Sequence, residues 1–462
     1  MENHSKKSIL ILITNSFAAI NVIHSGLLKK LADKYAVSLI STLIGQHEIL
    51  QINEYFKINV KLLNIRVQDE TRIIKCLRKV EKLLFCIAYD IKTQEIKISK
   101  QPVLVRALIR FLKFFAFTRS ATLLGLIPLR KFIILFSSRL SSPKSLRSYH
   151  FDGVVSSSPL DIRENSIVNF LKRQNIKALG MIISWDNLTS KGIINARHDY
   201  LLVWNQLMAN EFIRFYSVFK LKEKICITGI PRFDLHFRDG HQMEVEQLFR
   251  NQFAISPSDK VIFFATSAAK HFVNQKLIFN HLQEYLQLRE NIILIVRCHP
   301  ADNFELYKPY LHEGKVRIWH VENPVTDASR MFMEWLPPLD YLDSLSRMLK
   351  NCNVCVQVAS TIRLDAAACD KPVISIAYDG DQILPWSHSV RRLYDYSHQV
   401  PVNQLAVDDV AFCKNDLFDS LDKILHENYI KPDLRKAIKS ILYTTKPDAV
   451  EFSMKYIGEW LD

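Results

Sequence analysis

The apolar run 292–296 ends in Arg297, Cys298, His299 and Pro300. Proline disfavours helix for the residue before it, so His299 is fixed at the strand's exit. A neutral imidazole donates one hydrogen bond, and a protonated one adds charge; both suit a departing phosphate. A second apolar run, 354–358, closes on Ser360 and Thr361, just before "LDAAACDKPVI". Either hydroxyl can cap the helix that follows, whose first turn offers free N–H groups and the positive end of a dipole. Asp365 falls one turn inside that helix, placed either to accept from a ribose or sugar hydroxyl or to favour the dipole. "FFATSAAKHF" (263–272) repeats the form, with Thr266 and Ser267 after a strand and Lys270 near the start of an expected helix. Lys270 and Arg297 supply positive charge to the same grip on an anion.

The first half carries "IISWDNLTSKG" (182–192) and, later, "ITGIPRFD" (227–234). Trp185 can stack on a sugar or base, or plug a core. Asp186 can accept a proton, and Asn187, Thr189 and Lys191 can bind hydroxyls or phosphate on the acceptor side. For the base that would deprotonate an acceptor hydroxyl, Asp186 comes first, then Asp161 and His24. His24 stands in the helix expected after the first strand. Asp379-Gly380-Asp381 has the form of a metal-holding pair, but surface-loop acidity accounts for it and no metal is expected. Cys352 and Cys355 form a CxxC without a second pair at zinc spacing, and read as core residues.

These residues need a scaffold that gathers strand ends. Both halves alternate apolar strands with amphipathic helices, the pattern of parallel sheets covered on both faces. Strands are expected at 9–13, 37–41, 153–156, 178–183, 200–203 and 225–228, then at 261–265, 292–296, 316–319, 354–358 and 373–376. The fold class is therefore α/β, with two doubly wound, Rossmann-like domains facing a cleft. The expected domains are 1–235 and 258–425. Helices over 426–462 are expected to pack back on the first domain. With 11 glycines and neither a GxGxxG nor a GxxxxGK[ST] motif, dinucleotide and P-loop sites have no support.

The chain has 462 residues, 48% of them apolar, and a net charge of +14. That charge favours anionic partners. Nucleic acid is not expected, since no RNP, KH or helix-turn-helix signature is present. The start of the chain reads as a first strand rather than a cleaved leader, and no run is long and apolar enough to span a membrane. Residues 101–150 hold nine Lys or Arg and no Asp or Glu, interleaved with "ALIRFLKFFAF" and "KFIILF". Such helices suit an anionic membrane surface, or form a buried pair whose arginines snorkel. The expected location is cytoplasmic, peripheral to the inner face of the plasma membrane.

His299-Pro300, then Ser360-Thr361, then "LDAAACDKPVI" resemble the donor half of GT-B glycosyltransferases that build bacterial surface polysaccharides. Sialyltransferase-like, polysialyltransferase-like and CDP-glycerol glycerophosphotransferase-like proteins share the arrangement. The resemblance covers roughly 225–380. It implies that His299, Ser360 and Thr361 hold the donor phosphate. It also implies a metal-free transfer from a nucleotide-sugar donor to a glycan or lipid-linked acceptor, with no further cofactor. Two rivals stand beside that expectation: glycerophosphate transfer from a CDP-linked donor, and a non-catalytic protein of the same fold that binds membranes.

Overall fold

The computed structural model describes residues 6–67, 69–115, 119–140, 144–220, 222–238, 242–311, 314–323, 325, 327, 330–426, 429 and 432–462. Two parallel sheets organise it. The first contains β1 (Ser8–Ile13), β2 (Ala36–Ser41), β3 (Lys61–Leu62), β4 (Gly153–Ser156), β5 (Lys177–Met181), β6 (Tyr200–Val203) and β7 (Lys224–Ile227), in the order 3-2-1-4-5-6-7. The second contains β8 (Lys260–Ala265), β9 (Ile292–Arg297), β10 (Val316–Trp319), β11 (Val354–Gln357), β12 (Val373–Ile376) and β13 (Asp409–Ala411), in the order 10-9-8-11-12-13. The doubly wound architecture expected from the strand pattern is present in both halves.

Side chains alternate across each strand, so a strand covered on both faces must be apolar throughout. In β1, Ile9, Ile11 and Ile13 enter one layer while Leu10 and Leu12 enter the opposite one. In β8, Ile262 and Phe264 face one core and Val261, Phe263 and Ala265 the other. The strand order reverses between β1 and β4 and again between β8 and β11. At such a reversal the loops leave in opposite directions and open a crevice beyond the strands' C-terminal ends.

Three features differ from the sequence expectation. Edge strands β3 and β13 are additional; each is too short to show a pattern. Residues 266–274 form a loop rather than the start of a helix, and the helix begins at Gln275. The Gln275 side chain closes that loop, accepting from the Ser267 N–H at 2.8 Å and donating to its carbonyl at 3.0 Å. Cys76, whose place beside Ile73, Ile74 and Leu77 in the sequence reads as a buried thiol, is exposed, while Cys352 and Cys355 are buried.

The Ala449–Leu461 helix lies on the first sheet, where Val450, Ile457, Trp460 and Leu461 join the layer of Ile9, Ile11 and Ile13. Trp460 occupies the space a side chain at position 153 would need, which explains Gly153. The Asp234 carboxylate accepts from the Ala449 and Val450 N–H groups at 3.0 and 2.9 Å, capping this helix from a residue distant in sequence.

Between β3 and β4 runs the basic insertion. Its helices Arg72–Tyr89 and Arg119–Leu140 pack together, burying Leu126 and Ile133. Arg130 is buried as well. Its guanidinium donates to the Ile194 and Ala196 carbonyls and covers the Phe219 ring at 4.5 Å. On the Val103–Phe115 helix Val103 and Leu104 are 68% and 84% exposed, and on the Arg119–Leu140 helix Leu124 is 70% exposed. Among the described residues, no helix is long and apolar enough to cross a membrane.

Candidate active site

The two crevices face each other across a cleft of about 1170 Å³. Asn15 beyond β1, Ser158 beyond β4, Ser267 beyond β8 and Val358–Thr361 beyond β11 all line it.

On the second-domain wall, the His299 N–H donates to Thr266 Oγ1 at 2.9 Å, pinning the loop. His299 Nδ1 accepts from the Ala301 N–H at 3.0 Å, so the neutral ring carries its proton on Nε2. Burial, then the charges of Arg297, His271 and Lys270, push its pKa well below 6.5. The ring is thus a neutral Nε2–H donor, and it is not a base while Nδ1 is held. It stands edge-on to Phe332, with ring centroids 5.8 Å apart. Arg297 is buried, donates to the Tyr341 hydroxyl at 2.5 Å, and has no carboxylate partner among the described residues. Lys270 is exposed and lines the cleft. Ser360 Oγ accepts weakly from the Ile362 N–H at 3.4 Å, while the Thr361 hydroxyl makes no cap. Ala359 just before them has φ +29°, a left-handed conformation that turns the hydroxyl pair out of the sheet plane.

On the first-domain wall, Asn187–Lys191 forms one wide helical turn. Asp186 organises it, accepting from Ser184 Oγ at 2.7 Å and Ser190 Oγ at 3.0 Å, with Lys191 Nζ at 3.3 Å. Burial works to raise the Asp186 pKa, but Lys191, His398 and the two hydroxyls prevail and hold it well below the usual carboxylate range. Asn187 Oδ1 accepts from the Ser184 N–H at 3.0 Å. Trp185 is mostly core, with one edge on the cleft beside the His398 ring at 5.2 Å. Arg163 grips Asp161 with contacts of 2.7–3.2 Å and donates to the Thr14 carbonyl at 2.8 Å.

The family described as CDP-Glycerol:Poly(glycerophosphate) glycerophosphotransferase matches residues 176–444, more than half of the chain. The chain belongs to this family. No curated protein matches the chain. Among solved structures, the UDP-GlcNAc 2-epimerase of Methanocaldococcus jannaschii, in complex with UDP-GlcNAc and UDP, has a TM-score of 0.53 at 11% identity, covering 98% of this chain and 99% of that one. The UDP-GlcNAc 2-epimerase of Neisseria meningitidis gives the same figures: 0.53, 11%, 98% and 99%. A glycosyltransferase from Rickettsia africae has a TM-score of 0.50 at 12% identity, covering 99% of this chain and 100% of that one. The fold is GT-B, and the family is one of transferases.

In this glycerophosphotransferase-family chain, the cleft gathers Trp185, Asp186, Asn187, Lys191, Ser267, Lys270, Arg297, His299, Pro300, Ser360 and Thr361. Four expected roles need correction. Asp365 is 2% exposed and is held by Arg232 at 2.5 and 3.2 Å and by His236 Nε2 at 2.8 Å. Burial alone would raise its pKa, yet Arg232 and His236 bring it to about 2. It ties the two domains together, and both of its oxygens are engaged in that contact. His24 is buried away from the cleft, its ring nitrogens facing the carbonyls of Ala19, Pro337 and Pro338 at 3.0–3.2 Å. It joins the domains and contacts no acceptor site. Thr189 is buried and its hydroxyl donates to the Asp186 carbonyl, so it shapes the turn. Asp186, stabilised as a carboxylate by three donors, is a weak base and serves as the turn's anchor.

Sequence reasoning missed Lys97, Arg232, His236, Phe332 and His398. "IPRFD" marked Arg232 as a strand-end residue, but nothing local announced a partner in the other domain. Phe332 stacks on Phe17 at 4.6 Å across the cleft while touching His299, a link with no sequence signal.

Proposed function

We propose that the cleft transfers a glycerol phosphate-type unit from a CDP-linked donor to a hydroxyl of an anionic, lipid-attached polymer. The observation that carries this reading is the charge of the cleft. Arg297, Lys270, Lys97 and Lys191 face it, while Asp161, Asp186, Asp365, Glu70 and Glu334 are each engaged by a cation. A phosphoryl group in transfer spreads negative charge over its oxygens and is stabilised by such a field. A sugar in transfer becomes cation-like and is opposed by it. His299 Nε2–H and the Ser360 and Thr361 hydroxyls would hold the cytidine-side phosphate as it departs, with Arg297 and Lys270 balancing its charge. Among the described cleft carboxylates, Asp69 at the rim has no ion pair, which leaves it the acceptor-hydroxyl base of this scheme.

Sugar transfer from a nucleotide sugar is the second reading. It is favoured by the edge of Trp185 on the cleft, an apolar contact for a pyranose. The two separate on the mass of the product. Incubation with a lipid-linked acceptor pool and either CDP-glycerol or nucleotide sugars should add phosphorus to the acceptor. A product that gains a sugar and no phosphorus overturns the first reading, and no turnover with any donor leaves a binding protein.

The exposed Val103, Leu104 and Arg110 on the Val103–Phe115 helix, with Leu124 and Lys131 on the Arg119–Leu140 helix, meet an anionic membrane in this scheme. Each basic residue near such a surface contributes about 1 kcal/mol. This contact would hold the enzyme at the cytoplasmic face, where a lipid-linked acceptor is presented.

A further inference from the structure

Lys97 is the least expected cation of the cleft. It lies on the Lys92–Ser99 helix, which the second domain holds in place: Thr93 Oγ1 accepts from the Ser397 N–H at 2.8 Å and donates to Ser397 Oγ at 3.1 Å. The ammonium sits over the Tyr396 ring, 5.8 Å from its centroid, and has no carboxylate partner among the described residues. Lys191 reaches the same wall and is held by Asp186 at 3.3 Å. Burial lowers the Lys97 pKa to about 8, and the charges of Lys82 and Lys191 add to the effect. Lys97 and Lys191 thus line the cleft with Asp186 as the one carboxylate ion-paired to either among the described residues. A half-buried excess of like charge is unfavourable until an anion arrives.

We propose that Lys97 and Lys191 form a second anion subsite, across the cleft from His299, that binds the phosphodiester of the acceptor nearest the accepting hydroxyl. The inference rests on the transfer reading given above. It adds that the acceptor is chosen by its phosphate as well as by its hydroxyl. His271 lines the same cleft, and burial, then the charges of Lys270, Arg392, Lys97 and Lys191, lowers its pKa to about 4. An acceptor phosphate would relieve the repulsion among the lysines and bring the nucleophile to the donor from the first-domain side. A neutral glycan of the same size would not.

The test is calorimetric titration of the full chain with glycerol 3-phosphate, with glycerol as the neutral probe and CDP as the donor-side probe. Glycerol 3-phosphate should bind both the free chain and the CDP-saturated chain, and glycerol should not. Lys97→Gln and Lys191→Gln should each weaken glycerol 3-phosphate roughly ten-fold, the loss of one charge-assisted hydrogen bond, and leave CDP unchanged. Lys191 is half exposed, so its variant keeps the fold even if Lys97→Gln does not. Lys97→Arg should retain binding. Glycerol 3-phosphate binding that ignores both lysines, or is absent, overturns the inference. Equal losses of CDP and glycerol 3-phosphate also overturn it, by placing the lysines in the donor site. CDP failing to bind while lysine-dependent glycerol 3-phosphate binding persists overturns the donor reading instead and leaves the subsite standing.

Discussion

His299 owes its chemistry to one hydrogen bond. Because Ala301 N–H occupies Nδ1, the imidazole presents a proton and no lone pair to the cleft. His299→Ala should lower kcat by ~10²–10³, the usual cost of removing one donor from developing negative charge. His299→Gln, which keeps an N–H near the same place, should recover part of that loss, and single-turnover rates with saturating donor would show it. Glu164 offers a stability test at the same scale. It is fully buried beneath the cleft and accepts from Thr14 Oγ1, Ser156 Oγ and the Ser158 N–H at 2.7, 2.7 and 2.9 Å. Burial, then the nearby Asp161 charge, raises its pKa from 4.5 to about 7 against those donors. The folded state therefore keeps a proton that the unfolded chain releases. The stability it contributes is complete below pH 4.5 and is lost as pH rises to about 7. The melting temperature of the native chain relative to Glu164→Gln should fall across that window and level off above it. The place of His299, Ser360 and Thr361 at strand ends on one cleft was legible from sequence, because strand ends are visible and a fold with this strand order lines a crevice with them. Asp365 was misread because its local setting, the first turn of a helix, is the same whether or not a partner exists. Arg232 lies 133 residues away, and distance in sequence hides that contact.

At the scale of elements, central strands announced themselves as continuous apolar runs because each is covered on both faces. Edge strands β3 and β13, of two and three residues, need only a few backbone bonds and leave no pattern. Lys97 was illegible for a similar reason: "KTQEIKIS" is ordinary helix composition, and its place in the cleft depends on Ser397 in the other domain. The cap on the Ala449–Leu461 helix is a measurable element. Asp234→Ala should destabilise the chain by roughly 0.5–2 kcal/mol, the usual cost of a lost cap, read as a lower urea midpoint at unchanged slope. The exposed face of the basic insertion makes a second element-scale prediction. Leu104→Glu with Leu124→Glu should release the protein from vesicles containing anionic lipid and leave its melting temperature unchanged, since both side chains already face solvent. Retention by the vesicles would assign membrane contact to another surface.

For the whole molecule, the decisive contacts are those that join the halves. Arg232 and His236, on the segment leading out of the first sheet, close on Asp365 in the second domain. Removing Arg232 leaves the buried Asp365 charge with His236 and no permanent cation. Arg232→Ala should therefore cost about 3–5 kcal/mol, visible as an earlier, broader thermal transition, while Asp365→Asn in the same background should restore part of it. Phe17 on Phe332, and Ser16 donating to the Phe332 carbonyl at 3.2 Å, join the domains at the mouth of the cleft. Phe332 also packs on His299, so any opening of the mouth alters the imidazole's surroundings. The relation between domain position and donor grip was not legible beforehand, because it depends on three side chains from three distant parts of the chain.

The seat of Trp460 against Gly153 also bears on how the chain is made. The layer built on Ile9, Ile11 and Ile13 stays unfinished until residues 450–461 emerge from the ribosome. Throughout synthesis the nascent first sheet thus exposes a greasy flank, and domains ordinarily mature in order from the N-terminus. Here the second sheet has all its strands before the first has its cover, so the earlier-made half is the one that needs shielding by chaperones.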